Sequence, residues 1–259
     1  MSFNPESICF IASKAPNAQE ALQILSRRYG QRKADNAEVI VVIGGDGTML
    51  RALHKFMNSD KKLYGMNRGS VGFLMNEYHL DKLPQRIECA TLEVIHPLHM
   101  LAKSTKEGIV ESLGINEVSL FRQSYQAAKI QISVDNKIRI PELVCDGILV
   151  ATPLGSTAYN LSAQGPILPL ISPLIALTPV SPFRPRRWHG ALLSNEKLIE
   201  FKILEPNRRP VNAAADNRGV KTVEKVTIRK SQNDFVNLLF DSDHSWDERI
   251  LTEQFDISR

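Results

Sequence analysis

Asp46 stands among glycines in Gly44-Gly45-Asp46-Gly47-Thr48, directly after the β-branched run Val39-Ile40-Val41-Val42-Ile43. Backbone N–H groups in a glycine turn form an anion-binding nest, and a following helix adds the positive end of its dipole. Phosphate suits such a turn, and a carboxylate repels it. Asp46 therefore reads either as a base or metal ligand set beside phosphates, or as a cap on the next helix. The local pattern divides evenly between the two. In Gly114-Ile115-Asn116-Glu117-Val118 an amide and a carboxylate lie side by side in an apolar strand. Neighbours in a strand face opposite ways, so one points to core or cleft and the other outward. The plain alternative is a polar pair at a strand end. Asp146-Gly147-Ile148-Leu149-Val150-Ala151-Thr152-Pro153-Leu154-Gly155-Ser156-Thr157-Ala158-Tyr159 runs from a carboxylate through an apolar strand into a Pro/Gly turn dense in hydroxyls. Hydroxyls and turn N–H groups give the oriented hydrogen bonds that a ribose, amide or adenine edge requires. A Ser/Thr-rich turn is also simply a turn.

These groups need elements to hold them. Val39 to Ile43 has no polar alternation, which predicts a strand buried on both faces in a parallel sheet, with the glycines at its ligand-binding carboxyl end. Met49 to Phe56 predicts a helix. Ser7 to Ala12 predicts a first strand, and Pro16 opens a helix with Ala18, Leu22, Leu25 and Tyr29 on one face and Gly30 at its end. Leu63 to Met66 predicts a third strand, followed by the glycine-bearing loop Asn67 to Leu74, on the same sheet edge as Asp46. From about residue 92 the rhythm changes. Leu92 to Ser104 and Ile109 to Phe121 read as strands, and Ala128 to Val134 and Lys137 to Ile140 as a hairpin about Asp135-Asn136. Lys197 to Leu204, Val223 to Arg229 and Val236 to Phe240 read as further strands. Ser245-Trp246-Asp247-Glu248 fits a capping box that opens a last helix. The expected organisation is an α/β domain over 1–92 that carries the anion-binding turn, an all-β sandwich over 93–240, and a segment over 241–259 whose helix docks back on the first domain.

Composition excludes several classes. With 259 residues, 43% hydrophobic and 23% charged, the chain has room for one large or two modest soluble domains. A net charge of +4 fits anionic ligands such as nucleotides without being a nucleic-acid footprint. The basic run Arg184-Pro185-Arg186-Arg187 is short and reads as a solvated loop. Cys9, Cys89 and Cys145 are far apart and odd in number, as thiols in a reducing cytosol are. No signal sequence is read at the N-terminus. The uncharged stretch between Asp146 and Arg184 is broken repeatedly by prolines, so it is not a membrane span. His96 and His99, three apart in a strand, point to opposite faces and make no metal site. Neither a P-loop nor a dinucleotide fingerprint is present.

Taken together, Gly44-Gly45-Asp46-Gly47-Thr48, Asn116-Glu117 and Asp146-Gly147…Thr152-Pro153-Leu154-Gly155-Ser156-Thr157-Ala158-Tyr159 resemble, in order and separation, the signature motifs of NAD kinases. The first motif is shared with diacylglycerol kinases, sphingosine kinases and phosphofructokinases; the third is close to diagnostic. Asn67-Arg68-Gly69, Gly72-Phe73-Leu74 and Leu177-Thr178-Pro179 also look like family features. The resemblance implies a Rossmann-like N-terminal domain, a β-sandwich C-terminal domain, and ATP-dependent phosphorylation of the adenosine ribose 2′-hydroxyl of NAD to give NADP. It implies Mg²⁺ as Mg-ATP, with polyphosphate an alternative donor, and cytoplasmic homodimers or homotetramers with no nucleic-acid or membrane partner. Carried over residue by residue, Asp46 takes the 2′-hydroxyl proton. Gly44, Gly45, Gly47 and Arg51 face the phosphates, and Gly47 also borders NAD. Gly72 and Phe73 wall the pocket. Asn116 and Glu117 hold the adenosine part, and Asp146 binds toward the nicotinamide. Ser156, Thr157, Ala158, Tyr159 and Ser162 line the NAD pocket, and Ser181 meets the ligand from a neighbouring subunit. No residue is assigned to a metal. Two positions depart from the family pattern: Leu154 replaces a Thr, and Asp216-Asn217-Arg218 replaces Asp-Gly-Gln. The rivals are a lipid kinase sharing the first motif and a non-catalytic NAD-binding regulator.

Overall fold

The computed structural model describes residues 4, 7–69, 72–242 and 246–255. The chain forms two compact units, one of residues 1–95 with 234–259 and the other of residues 96–233.

The first unit is built on a five-stranded sheet. Its strands are β1 (Ile8–Ala12), β2 (Val39–Gly44), β3 (Lys62–Asn67), β4 (Thr91–Ile95) and β17 (Val236–Phe240), in the order β1-β2-β3-β17-β4. β1, β2, β3 and β17 run parallel, and β4 pairs antiparallel to β17. Helix α1 (Pro16–Tyr29) links β1 to β2, and α2 (Asp46–Lys55) links β2 to β3. β2 lies between two parallel neighbours, which is why every one of its residues is buried. Its Val39, Val41 and Ile43 pack with Ile8, Phe10 and the α1 face Ala18, Ala21 and Leu25. α1 starts at Pro16 and stops at Gly30, whose φ of 80° lies in the left-handed region. α3 (Leu83–Cys89) precedes β4, the short α4 (Tyr159–Ser162) belongs to the second unit, and α5 (Trp246–Phe255) follows β17. The expected capping residue Ser245 lies outside the described residues.

The second unit is a sandwich of two antiparallel six-stranded sheets. One has the order β6-β5-β16-β13-β8-β9 and comprises β5 (Leu98–Ser104), β6 (Gly108–Gly114), β8 (Ala128–Val134), β9 (Lys137–Cys145), β13 (Ile199–Ile203) and β16 (Val223–Lys230). The other has the order β12-β11-β10-β7-β14-β15 and comprises β7 (Glu117–Arg122), β10 (Gly147–Ala151), β11 (Leu174–Val180), β12 (Ala191–Ser194), β14 (Val211–Ala215) and β15 (Arg218–Val220). Alternating residues such as Leu98, Met100, Ile130, Ile132, Ile199 and Phe201 face Val118, Leu120, Ile148, Val150, Ile175 and Val211 in one core. β10 is apolar throughout because its other face, Leu149 and Ala151, is also covered, packing with Leu168 and Ala176. The hairpin β8–β9 turns at Asp135 and Asn136, both with positive φ, as the Asp-Asn pair predicts.

Three expectations change. Ile109 to Phe121, read as one strand, is β6 and β7 in opposite sheets of the sandwich, parted at Ile115-Asn116. Val236 to Phe240 is a strand, but it pairs with β3 and β4 in the first unit and not within the sandwich, because Val236-Asn237-Leu238-Leu239-Phe240 has no clean apolar-polar alternation to mark which sheet it joins. The expected 93–240 domain therefore loses its last strand. Leu92 to Ser104 is two strands split at His96-Pro97, one in each unit. Among the described residues no helix is long and apolar enough to cross a membrane.

Candidate active site

In the first unit, β2 delivers the chain into the turn Gly44-Gly45, and α2 begins at once with Gly45 as its N-cap. The first-turn N–H groups of a helix have no intrahelical acceptor and point at whatever anion lies ahead of them. Gly45 packs closely on the loop after β3: a Cβ at Gly69 would lie 3.3 Å from the Gly45 Cα. Gly47 is exposed in the first turn, and the exposed Arg51 donates from Nη2 to Thr48 Oγ1 at 3.1 Å.

Asp46 does not cap α2. Its carboxylate turns to the loop after β3, where Phe73 N–H donates to Oδ2 at 2.8 Å and Leu74 N–H to Oδ1 at 3.0 Å. Gly72 is tight against it, since a Cβ there would come within 2.6 Å of Asp46 Oδ1. Burial raises the carboxyl above the ordinary range, while the two amides and the Arg249 guanidinium pull it back down. Gly72→Ala is therefore expected to destabilise this unit by about 1–3 kcal/mol, because the methyl must push a carboxylate already held at both oxygens. A lowered melting temperature would check this.

In the second unit, Asn116 and Glu117 lie where β6 gives way to β7. Their backbone is held by Asp216, which sits between β14 and β15 with a positive φ of 48°. The Asp216 carboxylate accepts the N–H groups of Ile115, Asn116 and Glu117 at 2.7, 2.9 and 3.2 Å. From the other side Thr152 N–H donates to the Asn116 carbonyl at 2.9 Å, and Thr152 Oγ1 to the Ile115 carbonyl at 2.8 Å. Gly155 is required here, because a Cβ would lie 2.1 Å from the Asn116 carbonyl oxygen. With the backbone so fixed, Asn116 Oδ1 and Glu117 Oε2 are buried without a hydrogen-bond partner in the protein. An orphaned buried acceptor costs about 1–3 kcal/mol, and a ligand donor relieves it. Burial first, and then the charge of Asp216, push the Glu117 carboxyl up to about 7.

The segment after β10 is held in the same manner. Asp146 pairs with Arg122, Nε to Oδ1 at 2.6 Å. Asn160 is fully buried: its Nδ2 donates to the Ser156 and Pro166 carbonyls, its Oδ1 accepts Thr178 Oγ1 at 2.7 Å, and Gly165 leaves room for it. Around this anchor Tyr159 stays 40% exposed, with its ring edge-on to Phe121 at 5.6 Å, and Ser162 is exposed. Thr157 is 9% exposed and Ala158 half-buried. Ser181 is exposed, just beyond β11. Ser156 is fully buried; its hydroxyl donates to the Pro153 carbonyl at 2.6 Å and accepts Leu168 N–H at 2.9 Å, so it shapes the turn.

Models of two domains match this chain: the ATP-NAD kinase N-terminal domain over residues 10–88 and the ATP-NAD kinase C-terminal domain over residues 115–240. The chain belongs to the ATP-NAD kinase family. An NAD kinase of Brucella suis is 61% identical over 95% of this chain and 96% of its own length. An NAD kinase of Mesorhizobium japonicum is 59% identical over 98% and 99%. The fold is that of a yeast NADH kinase solved with NADH, with a TM-score of 0.82, 18% identity, and coverage of 97% of this chain and 88% of that one. It is likewise that of an Archaeoglobus fulgidus NAD kinase solved with ATP, with a TM-score of 0.76, 24% identity, and coverage of 95% and 97%. Within this ATP-NAD kinase chain, sequence reading placed Thr152 and Asp216 in family motifs without giving either a role, and it passed over Asn160 and Arg249. The Leu177-Thr178-Pro179 segment was a partial signal for the Asn160 anchor; nothing local marks Arg249.

Proposed function

We propose that this ATP-NAD kinase transfers the terminal phosphoryl group of ATP to the 2′-hydroxyl of the adenosine ribose of NAD, giving NADP and ADP. The observation that carries the acceptor choice is the pair of orphaned buried acceptors, Asn116 Oδ1 and Glu117 Oε2, on a backbone locked by Asp216 and Gly155. They suit the hydroxyl and amino donors of adenosine. Asp46 accepts the 2′-hydroxyl proton as that oxygen bonds to the γ-phosphorus, and the bond to the β–γ bridging oxygen breaks to release ADP. Gly44, Gly45 and Gly47, with the first-turn N–H groups of α2, face the phosphates, and Arg51 adds a cation beside them. Gly72 and Phe73 wall the side on which the carboxylate lies. Asp146 serves the nicotinamide end, with Thr157, Ala158, Tyr159 and Ser162 along the dinucleotide. Mg²⁺ supplies charge neutralisation on the transferring group. In a homodimer or homotetramer, Ser181 reaches the NAD of a neighbouring subunit.

Incubation with NAD, ATP and Mg²⁺, followed by an NADP-specific dehydrogenase, tests the reading. NADP is expected. Its absence, with diacylglycerol or sphingosine phosphorylated instead, would hand the glycine turn to a lipid kinase.

The raised Glu117 carboxyl gives a second expected result. A folded value of about 7 against the usual 4.5 means the folded state binds the proton more tightly. Stability contributed by this group is full below about 4.5 and lost as pH rises through about 7, a span of up to about 3 kcal/mol. Glu117→Gln should flatten that slope, so melting curves of the variant and parent should converge at low pH and part above neutrality. Parallel curves would contradict it.

A further inference from the structure

Helix α5 carries none of the family signature motifs, yet one of its side chains, Arg249, reaches the loop that holds Asp46. Arg249 Nη1 donates to the Phe73 carbonyl at 2.7 Å, and Nη2 to Asn76 Oδ1 at 2.9 Å. Phe73 is thus held at both ends, its carbonyl by the guanidinium and its N–H by the Asp46 carboxylate. Asn76 is fully buried, and its other bonds run to the Leu239 carbonyl and the Asp241 N–H at the end of β17. Trp246, one turn before Arg249 and 4% exposed, packs against Phe73 and Phe240 with ring centroids 6.2 and 5.8 Å away. The guanidinium also lies over the Phe240 ring at 5.1 Å. A fork with two divergent donors is what two acceptors on one loop require; a lysine reaches one of them at a time.

We propose that Arg249 is a positioning residue for Asp46: it fixes residues 73–76, and the Phe73 and Leu74 amides in turn aim the carboxylate. The proposal rests on the reading of Asp46 as the base. It differs from a purely structural anchor in what it predicts for pH. The guanidinium charge opposes the effect of burial on Asp46, so its removal lets the carboxyl rise further. Activity that depends on ionised Asp46 is lost as pH falls through that carboxyl's pKa, so the acid limb must move to higher pH.

The test compares Arg249→Met and Arg249→Lys with the parent in full pH profiles of NADP formation, with melting curves alongside. Arg249→Met should lose about 10- to 100-fold in turnover near neutrality, as expected for a base out of line, with its acid limb displaced upward. Arg249→Lys keeps the charge and loses the fork, so turnover should fall while the acid limb stays in place. A folded Arg249→Met with turnover within about 2-fold of the parent and an unmoved limb would overturn the positioning role. Should the Met variant fail to fold, Arg249→Lys decides: parental turnover overturns the proposal, and reduced turnover at an unmoved limb supports it. A parent protein that forms no NADP would fail the underlying kinase reading instead, so the two failures are distinguishable.

Discussion

Asp46→Asn is expected to lose about 10²–10⁴-fold in turnover, the contribution of a general base, while NAD still binds. The substitution is nearly isosteric and removes the one property the mechanism uses, a carboxylate able to take a proton. The local cost has two opposing parts. Phe73 and Leu74 N–H groups each donate to a different Asp46 oxygen, and an amide offers only one acceptor, so one bond is lost. Against that, the burial penalty on the charge disappears. With terms of about 1–3 kcal/mol on each side, melting should move by only a few degrees. Calorimetric titration with NAD reports the dinucleotide groups of the β unit, which this substitution leaves in place. Parental turnover in Asp46→Asn would remove Asp46 from the mechanism.

Asp216→Ala is expected to do the complementary damage. One carboxylate accepts three successive N–H groups, from Ile115, Asn116 and Glu117, and its own N–H donates to the Glu117 carbonyl at 3.0 Å. Removing the side chain strands donors that β6 and β7 do not satisfy, at about 1–3 kcal/mol for each one left buried. The expected stability loss is about 3 kcal/mol or more, with the KM for NAD raised about 10-fold or more as the 115–117 turn relaxes. Turnover at saturating NAD should suffer less than KM, since the phosphate turn belongs to the other unit. A variant with parental melting and parental KM would show that Thr152 and Gly155 hold the turn unaided.

The glycine turn was legible because its cause is local: a β-branched run, then glycines, then helix formers give strand, turn and helix in any context. The sandwich was legible from alternation, and the β8–β9 hairpin from Asp135-Asn136. β17 was legible as a strand but not as a member of the first sheet, because Val236-Asn237-Leu238-Leu239-Phe240 has no clean alternation to name the sheet that receives it. Asp216 could be carried as a family position, yet its bonds to residues about a hundred positions earlier exist only after folding. Arg249 and Phe73 meet across a still longer separation. The use that Ser156 makes of its hydroxyl was equally hidden. A serine in a hydroxyl cluster looks available, but the fold closes Pro153 and Leu168 around it. In each case residue type was informative about capacity, and only packing decided where the capacity was spent.

The central claim is that the glycine turn transfers phosphate and the β unit chooses the hydroxyl that receives it. NAD lacking only the 2′-hydroxyl of its adenosine ribose tests this most directly, offered with ATP and Mg²⁺ beside ordinary NAD. The expected result is comparable binding of both, NADP from NAD, and no phosphorylated product from the deoxy analogue. A phosphorylated deoxy analogue would place the transfer on another hydroxyl and contradict the account.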